Sequence, residues 1–194
     1  ALMAEMADVV GDTRGAEDYR RRTEKIRNAF AREYVAADGQ VKGGTQTAYA
    51  MALQFDLLPE QVRNHAVQRL ADNVRSRDVH LTTVFVATPL LLPALSENGA
   101  HDLAVRLLLQ ETYPSWLYPV KHGATTIWER WNSWTAEDGL HAPGMNSFNH
   151  YAFGSVGEWL YHTLTGIRPA APGFQRVTLR PAPTRRLDSA GSEV

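Results

Sequence analysis

Glu129 is the residue best placed to do chemistry. It sits in Gly123-Ala124-Thr125-Thr126-Ile127-Trp128-Glu129-Arg130-Trp131-Asn132-Ser133-Trp134, where three tryptophans and one carboxylate fall within seven residues. Gly123 precedes the tryptophans, and Pro143, Gly144 and Asn146 follow them. No helical or strand period runs through the stretch, so it reads as a structured loop. Aromatics this dense beside a charge suit a wall for a flat, partly apolar ligand such as a sugar ring. A general base must be ionised yet stand near apolar surface, and flanking indoles would exclude all but one nucleophilic water. The same residues also fit an ordinary loop whose tryptophans plug the core while Glu129 pairs with Arg130 at the surface. Composition alone leaves both readings open.

Other chemistry finds less support. The seven histidines are scattered, with no HExxH and no close set of ligands, so neither a metal nor another cofactor is expected. His150, a lone histidine beside Asn149, reads as a hydrogen-bond donor or a packed ring rather than a base. Glu137 and Asp138 fall in a polar, turn-like stretch and read as solvated. Glu158 lies on an apolar helix and reads as structurally paired, and Glu111 falls at a helix end before Tyr113-Pro114.

The 194 residues suffice for one sizeable core, or for one domain and part of another. With 20 basic and 21 acidic residues the net charge is −1, and no basic run is interleaved with aromatics. Nothing therefore steers the chain to nucleic acid or to an anionic membrane. Absence of cysteine removes disulfides and thiolate sites; it fits a bacterial cytoplasm without excluding export. No apolar run approaches the roughly 20 residues that span a bilayer. Residues 1–10 lack the basic and apolar regions of a signal peptide. They read as an amphipathic helix entered part-way, as expected of a segment of a longer chain.

The elements that must position the loop are mostly helical. Leu2, Met3, Met6, Val9 and Val10 predict a first helix stopped by Gly11, and Tyr19, Thr23, Ile26, Phe30 and Tyr34 the apolar face of a second over 16–36. Residues 45–57 are small or apolar nearly all round and predict a buried helix. After Pro59 comes an amphipathic helix through Val62, Ala66, Val67, Leu70 and Val74. Residues 84–95 return to the buried type, with Pro89 and Pro93 delaying or kinking the helix. Residues 100–112 form another amphipathic helix, and a last buried one runs over 147–165, capped by Asn146 or Ser147. In that last helix Ala152, Gly154, Ser155 and Gly157 would admit a neighbouring backbone. The alternation of polar-faced and apolar helices, with short connections, predicts two layers, as in part of an α/α barrel. Pro169 to Pro172 read as a linker, Phe174 to Pro181 as a single strand opening a truncated β domain, and 184–194 as disordered.

Two stretches carry a family resemblance. Gly123 to Trp131 (GATTIWERW) followed by Pro143 to Trp159 (PGMNSFNHYAFGSVGEW) closely resembles the α-L-rhamnosidases of glycoside hydrolase family 78. Gln46-Thr47-Ala48-Tyr49 resembles that family's helix-entry motif, His80 to Leu92 its inner-helix motif, and Phe174 to Pro183 the entry to its C-terminal β-sandwich. The chain departs at Val84 and Ala87, where the family more often has glycine, and at Asn132, where aspartate is usual.

The resemblance implies an all-α fold, the C-terminal half of an (α/α)6 barrel, with the start of a C-terminal β-sandwich. Residues 1–168 would be the partial catalytic domain and 169–194 the linker and first strand. It further implies hydrolysis of terminal α-L-rhamnosides with inversion, on a rhamnose-containing glycoside or polysaccharide. Glu129 matches the general base, His150 a residue that hydrogen-bonds the sugar, and Trp128 and Trp131 could be apolar walls beside its methyl group. The general acid matches no motif here and would lie on the missing N-terminal part. The isolated half-barrel would then be inactive and self-associate through exposed inner helices. An α/α-barrel glycosidase of other specificity, and a non-catalytic helical carbohydrate-binding or scaffolding module, are the alternatives.

Overall fold

A computed structural model describes residues 1–192. Helix α1 (Leu2–Val9) lays Ala4 and Ala7 against α2 (Thr13–Tyr34), whose N-terminus is capped by Asp12 accepting from the Gly15 amide at 2.9 Å. The anticipated apolar face of α2 is largely uncovered: Ala16 is its one buried residue, and Ile26 is 63% exposed. Only its C-terminal end, through Phe30, meets the main core. The turn that follows is closed by a bridge between Val35 and Val41. Gly39 sits there at φ +78°, and a Cβ would fall 2.6 Å from that of His65, so the turn requires glycine.

The anticipated alternation of helices appears in the next four. Helix α3 (Gln46–Gln54), capped by Thr45, is buried on most sides, and α4 (Glu60–Arg75) buries the stripe from Val62 to Val74. Helix α5 (Thr88–Ser96) is again buried, and α6 (His101–Leu108) buries Leu103, Ala104, Val105 and Leu107. Helices α3 and α5 pack side by side; α4 backs onto both, and α6 onto α5. Leu53, Leu70, Leu91, Leu92, Leu95 and Leu107 are fully buried between these layers.

Helix α5 starts only at Thr88, with Pro89 in its first turn and Pro93 inside it. Residues 80–84 before it are extended, with Leu81 and Thr83 buried and Thr82 and Val84 exposed. Val84 and Val86, expected inside a buried helix, therefore face solvent.

A short helix that the pattern did not announce, α7 (Leu117–Lys121), leads into the loop of Glu129, and a tight hairpin follows. Strand β1 (Trp134–Thr135) pairs antiparallel with β2 (Gly139–Leu140). The last long helix also differs from expectation. Residues 146–151 are irregular; a 3₁₀ turn spans Ala152–Ser155, then α8 (Val156–Trp159), then a π turn over Leu160–Leu164. Neither Asn146 nor Ser147 is a cap: Asn146 donates to the Ser133 and His141 carbonyls, and the Ser147 hydroxyl accepts from the Asn149 amide. No backbone approaches as the small residues suggested: a Cβ on Gly157 would meet nothing within 4 Å, and one on Gly154 only the Ile127 side chain at 3.5 Å.

The strand over Val177–Leu179 (β4) finds a partner in Ile167–Pro169 (β3), and the stretch read as a linker connects the two. Gly166 at φ +71° lies so close to Arg180–Pro181 that a Cβ would fall 2.1 Å from the Arg180 carbonyl carbon. The polar tail expected to be disordered turns back onto the helices over its described part. Leu187 packs against the core, and Arg186 grips Asp102 with Nε and Nη2 at 2.7 and 3.1 Å. Residues 193 and 194 of that tail lie outside the described residues.

The Arg186 hydrogen bonds hold the Asp102 carboxyl below its usual range. A depressed carboxylate pKa stabilises above its unfolded value and ceases to do so as pH falls through the folded one. Acidification into that window should release the tail, seen as resonances of residues 184–190 moving to random-coil positions. Asp102→Asn should release it at neutral pH, with faster tryptic cleavage after Arg185 and Arg186.

Candidate active site

The site is built where two irregular stretches run side by side. Residues 126–129 and 147–150 have no helix or sheet to satisfy their backbones, so they satisfy each other. The His150 amide donates to the Ile127 carbonyl at 2.8 Å, and the Glu129 amide to the Ser147 carbonyl at 2.9 Å. The Thr126 hydroxyl donates to the Phe148 carbonyl. The two motifs singled out from sequence are thereby brought together.

Glu129 is 9% exposed. Its Oε2 accepts from the Ser147 amide at 2.8 Å, so side chain and backbone grip the same residue. Oε1 has no partner among the described residues, yet it is not among the buried unpartnered atoms. One oxygen is fixed, and the other is unpartnered but not wholly enclosed. The surface ion pair with Arg130 is not formed: Arg130 Nε instead donates to Asn132 Oδ1 at 3.3 Å. Asn146 ties the hairpin to the site by donating Nδ2 to the carbonyls of Ser133 and His141, at 3.2 and 3.1 Å.

His150 is half-buried, stacked between Phe85 (centroids 5.1 Å) and Tyr151 (5.3 Å). Its Nδ1 accepts from the Ala152 amide at 3.3 Å, which puts the proton of the neutral ring on Nε2 and makes that atom a donor. Trp128 is buried, edge-on to Phe148. Trp131 stacks on Phe153 at 3.7 Å and 10°, meets Trp116 edge-on, and donates Nε1 to the Thr83 carbonyl at 3.4 Å. Both tryptophans border a cavity of about 30 Å³ with Trp116, Ile127 and Phe153. Trp131 is thus fixed from the core side, and Trp128 is held by burial against Phe148.

The remaining carboxylates have structural duties or none. Glu111 pairs with Lys121, the exposed Glu158 faces His162 at 3.6 Å, and Asp138 closes the β1–β2 turn with Thr135. Glu137 is exposed. Among the described residues no three His, Asp or Glu side chains gather as metal ligands. No helix there is long and apolar enough to cross a membrane.

Phe85, Phe148 and the Ser147 amide also belong to this arrangement, and sequence reasoning missed them. Phe85 lies in the HLTTVF stretch, whose resemblance was a signal that could have been pressed further. The Ser147 amide is backbone, and no residue type marks it.

The chain matches the family model described as the bacterial α-L-rhamnosidase six-hairpin glycosidase domain over residues 1–164. It is 47% identical over 189 residues to an α-L-rhamnosidase of Streptomyces avermitilis, covering 97% of this chain and 18% of that protein. The crystal structure of the S. avermitilis α-L-rhamnosidase complexed with L-rhamnose superposes with a TM-score of 0.89 at 48% identity, over 93% of this chain and 17% of that one. The native α-L-rhamnosidase of Aspergillus terreus gives a TM-score of 0.88 at 36% identity, over 93% and 21%. The chain therefore spans about a fifth of the length of these relatives.

Trp131→Ala should remove a stacked, half-buried indole that links the loop to the core. The expected loss is about 3 kcal/mol of unfolding free energy, at the lower end for large aromatic truncations, read by urea denaturation.

Proposed function

The chain belongs to the bacterial α-L-rhamnosidase family as a piece of its six-hairpin glycosidase domain, and on that premise we propose that the protein it builds hydrolyses terminal α-L-rhamnosides with inversion. One observation carries the reading. Glu129 is a buried carboxylate with Oε2 held by a backbone amide and Oε1 left open. Oε1 takes a proton from water while that water attacks the anomeric carbon from the face opposite the departing oxygen. Inversion requires a second carboxyl roughly 6.5–9.5 Å away to protonate the leaving group. No other carboxylate among the described residues is a good candidate, and we assign the acid to a part of the domain outside this chain. His150 offers its Nε2–H to a sugar hydroxyl, and Trp128 and Trp131 back the apolar side of the ring.

Residues 1–168 are, in this reading, the C-terminal half of an (α/α)6 barrel. The inner pair α3 and α5 with the outer pair α4 and α6 supports that arrangement. Residues 169–194 then lead into a β-sandwich. The substrate is a rhamnose-containing glycoside or polysaccharide.

The test uses the full-length protein, an aryl α-L-rhamnoside and Glu129→Ala. Loss of a general base should lower kcat by about 10²–10⁴-fold. Added azide should restore turnover and yield the rhamnosyl azide of inverted configuration. Undiminished activity in Glu129→Ala would remove Glu129 as the base, and a wild type inert to rhamnosides would remove the substrate.

The 194-residue chain alone should show no turnover. The inner helices α3 and α5, expected to be exposed, are largely buried within this chain, and the exposed apolar row is instead Leu2, Met3, Met6, Val9 and Val10 along α1. Sedimentation should find it self-associated, and a soluble, fully active monomer would contradict this.

A further inference from the structure

Gln46 opens α3 and is completely buried, yet it faces none of the residues of the candidate site. Its amide is spent on the extended segment before α5. Nε2 donates to the His80 carbonyl at 2.9 Å, and Oε1 accepts from the Thr82 amide at 2.9 Å. That segment has no neighbouring strand among the described residues, although Leu81 and Thr83 are buried. A single side-chain amide thus does for it what a peptide group of an adjacent strand would do.

The next residues reach the site. The Thr83 carbonyl receives the Trp131 indole, and the Phe85 ring stacks on His150 and leans on Phe153 at 5.3 Å. The segment alternates inward and outward with a period of two. A slip by one residue would exchange Leu81 and Thr83 for Thr82 and Val84 and carry both contacts away. Among the described residues only the Gln46 amide engages the backbone on both sides of Leu81: Gln110 Nε2 reaches the Asp78 and Val79 carbonyls before it, at 3.2 and 3.3 Å, and the Thr83 hydroxyl is spent on Thr88 at 2.9 Å.

We propose that Gln46 is a positioning residue. Its amide sets the register of residues 80–84, and through Thr83 and Phe85 it fixes the orientation of Trp131 and His150. The inference rests on the reading of the site given above.

The test compares Gln46→Glu with Leu53→Ala in the full-length protein, well below either unfolding transition. Leu53 is a buried core residue of the same helix, so its truncation reports destabilisation alone. An ionised carboxyl at position 46 accepts from Thr82 but opposes the His80 carbonyl, and a protonated one can donate to it. Gln46→Glu should lower kcat about tenfold or more at neutral pH, since a displacement near 1 Å costs up to about 100-fold. Its activity relative to wild type should then recover as pH falls, while Leu53→Ala keeps the wild-type profile. Hydrogen exchange at the Trp131 indole, assigned with Trp131→Phe, should quicken in Gln46→Glu only. Unchanged indole exchange, or a kcat ratio that is flat with pH and matches Leu53→Ala, would overturn the proposal. A wild type inert to rhamnosides would sink the proposed activity, and the indole exchange would still decide whether Gln46 positions the loop.

Discussion

Glu129 holds Ser147 twice, and the rest of the site depends on that grip. Its own amide reaches the Ser147 carbonyl, and its carboxylate receives the Ser147 amide. The two irregular stretches are held together by this pair, by the His150 amide on the Ile127 carbonyl and by the Thr126 hydroxyl on the Phe148 carbonyl. A buried backbone group without a partner costs about 1–3 kcal/mol, so neither stretch can leave the other cheaply. The constraint also orients chemistry. A carboxylate with one oxygen committed has one oxygen to offer, and its direction follows from the loop rather than from a freely rotating side chain.

The helices provide the platform on which this pairing rests. Helix α5 touches α3, α4, α6, α8 and the 3₁₀ turn before α8. Its apolar residues therefore meet neighbours on nearly every side, as a helix without a polar face requires. The 3₁₀ turn carries Phe153, whose carbonyl receives the Trp116 indole at 2.9 Å and whose ring carries Trp131. A shift of α5 would reach the loop through this turn. The mixed 3₁₀, α and π geometry over 152–164 changes the helical phase between Phe153 and Leu164, so that Phe153, Trp159 and Leu164 all stay buried.

Much of this was legible in the residues, and what was not has physical causes. The buried character of α3 and the stripe of α4 follow from apolar periodicity. Periodicity misled at 147–151, where Phe148 and Tyr151 mimic a helix while Ser147 and Asn146 bond elsewhere. Tyr151 is instead left mostly exposed. On α2 the pattern is helical, but Ile26 has no neighbour within this chain to bury it. The tail reads as polar and unstructured until Arg186 meets Asp102, a pairing across 84 residues that no local window contains. At the site, Glu129, Trp128, Trp131 and His150 were marked by type and motif. Phe85 and the Ser147 amide were not, because a packed ring and a peptide group carry no chemical signature.

The tryptophans admitted two readings, a ligand wall or a core plug, and their placement shows the packing that the second describes. A loop without a hydrogen-bond ladder must obtain rigidity from its side chains. Trp131 obtains it from Phe153, Trp116 and the Thr83 carbonyl, and Trp128 from burial against Phe148. Aromatic rings suit this because each fixes a large contact area with few rotatable bonds. Packing on the core side leaves the neighbouring carboxylate anchored by Ser147 and open at Oε1. A carboxylate on a loop keeps its direction only if the loop is firmly held, and the packed indoles of Trp128 and Trp131 beside Glu129 hold it.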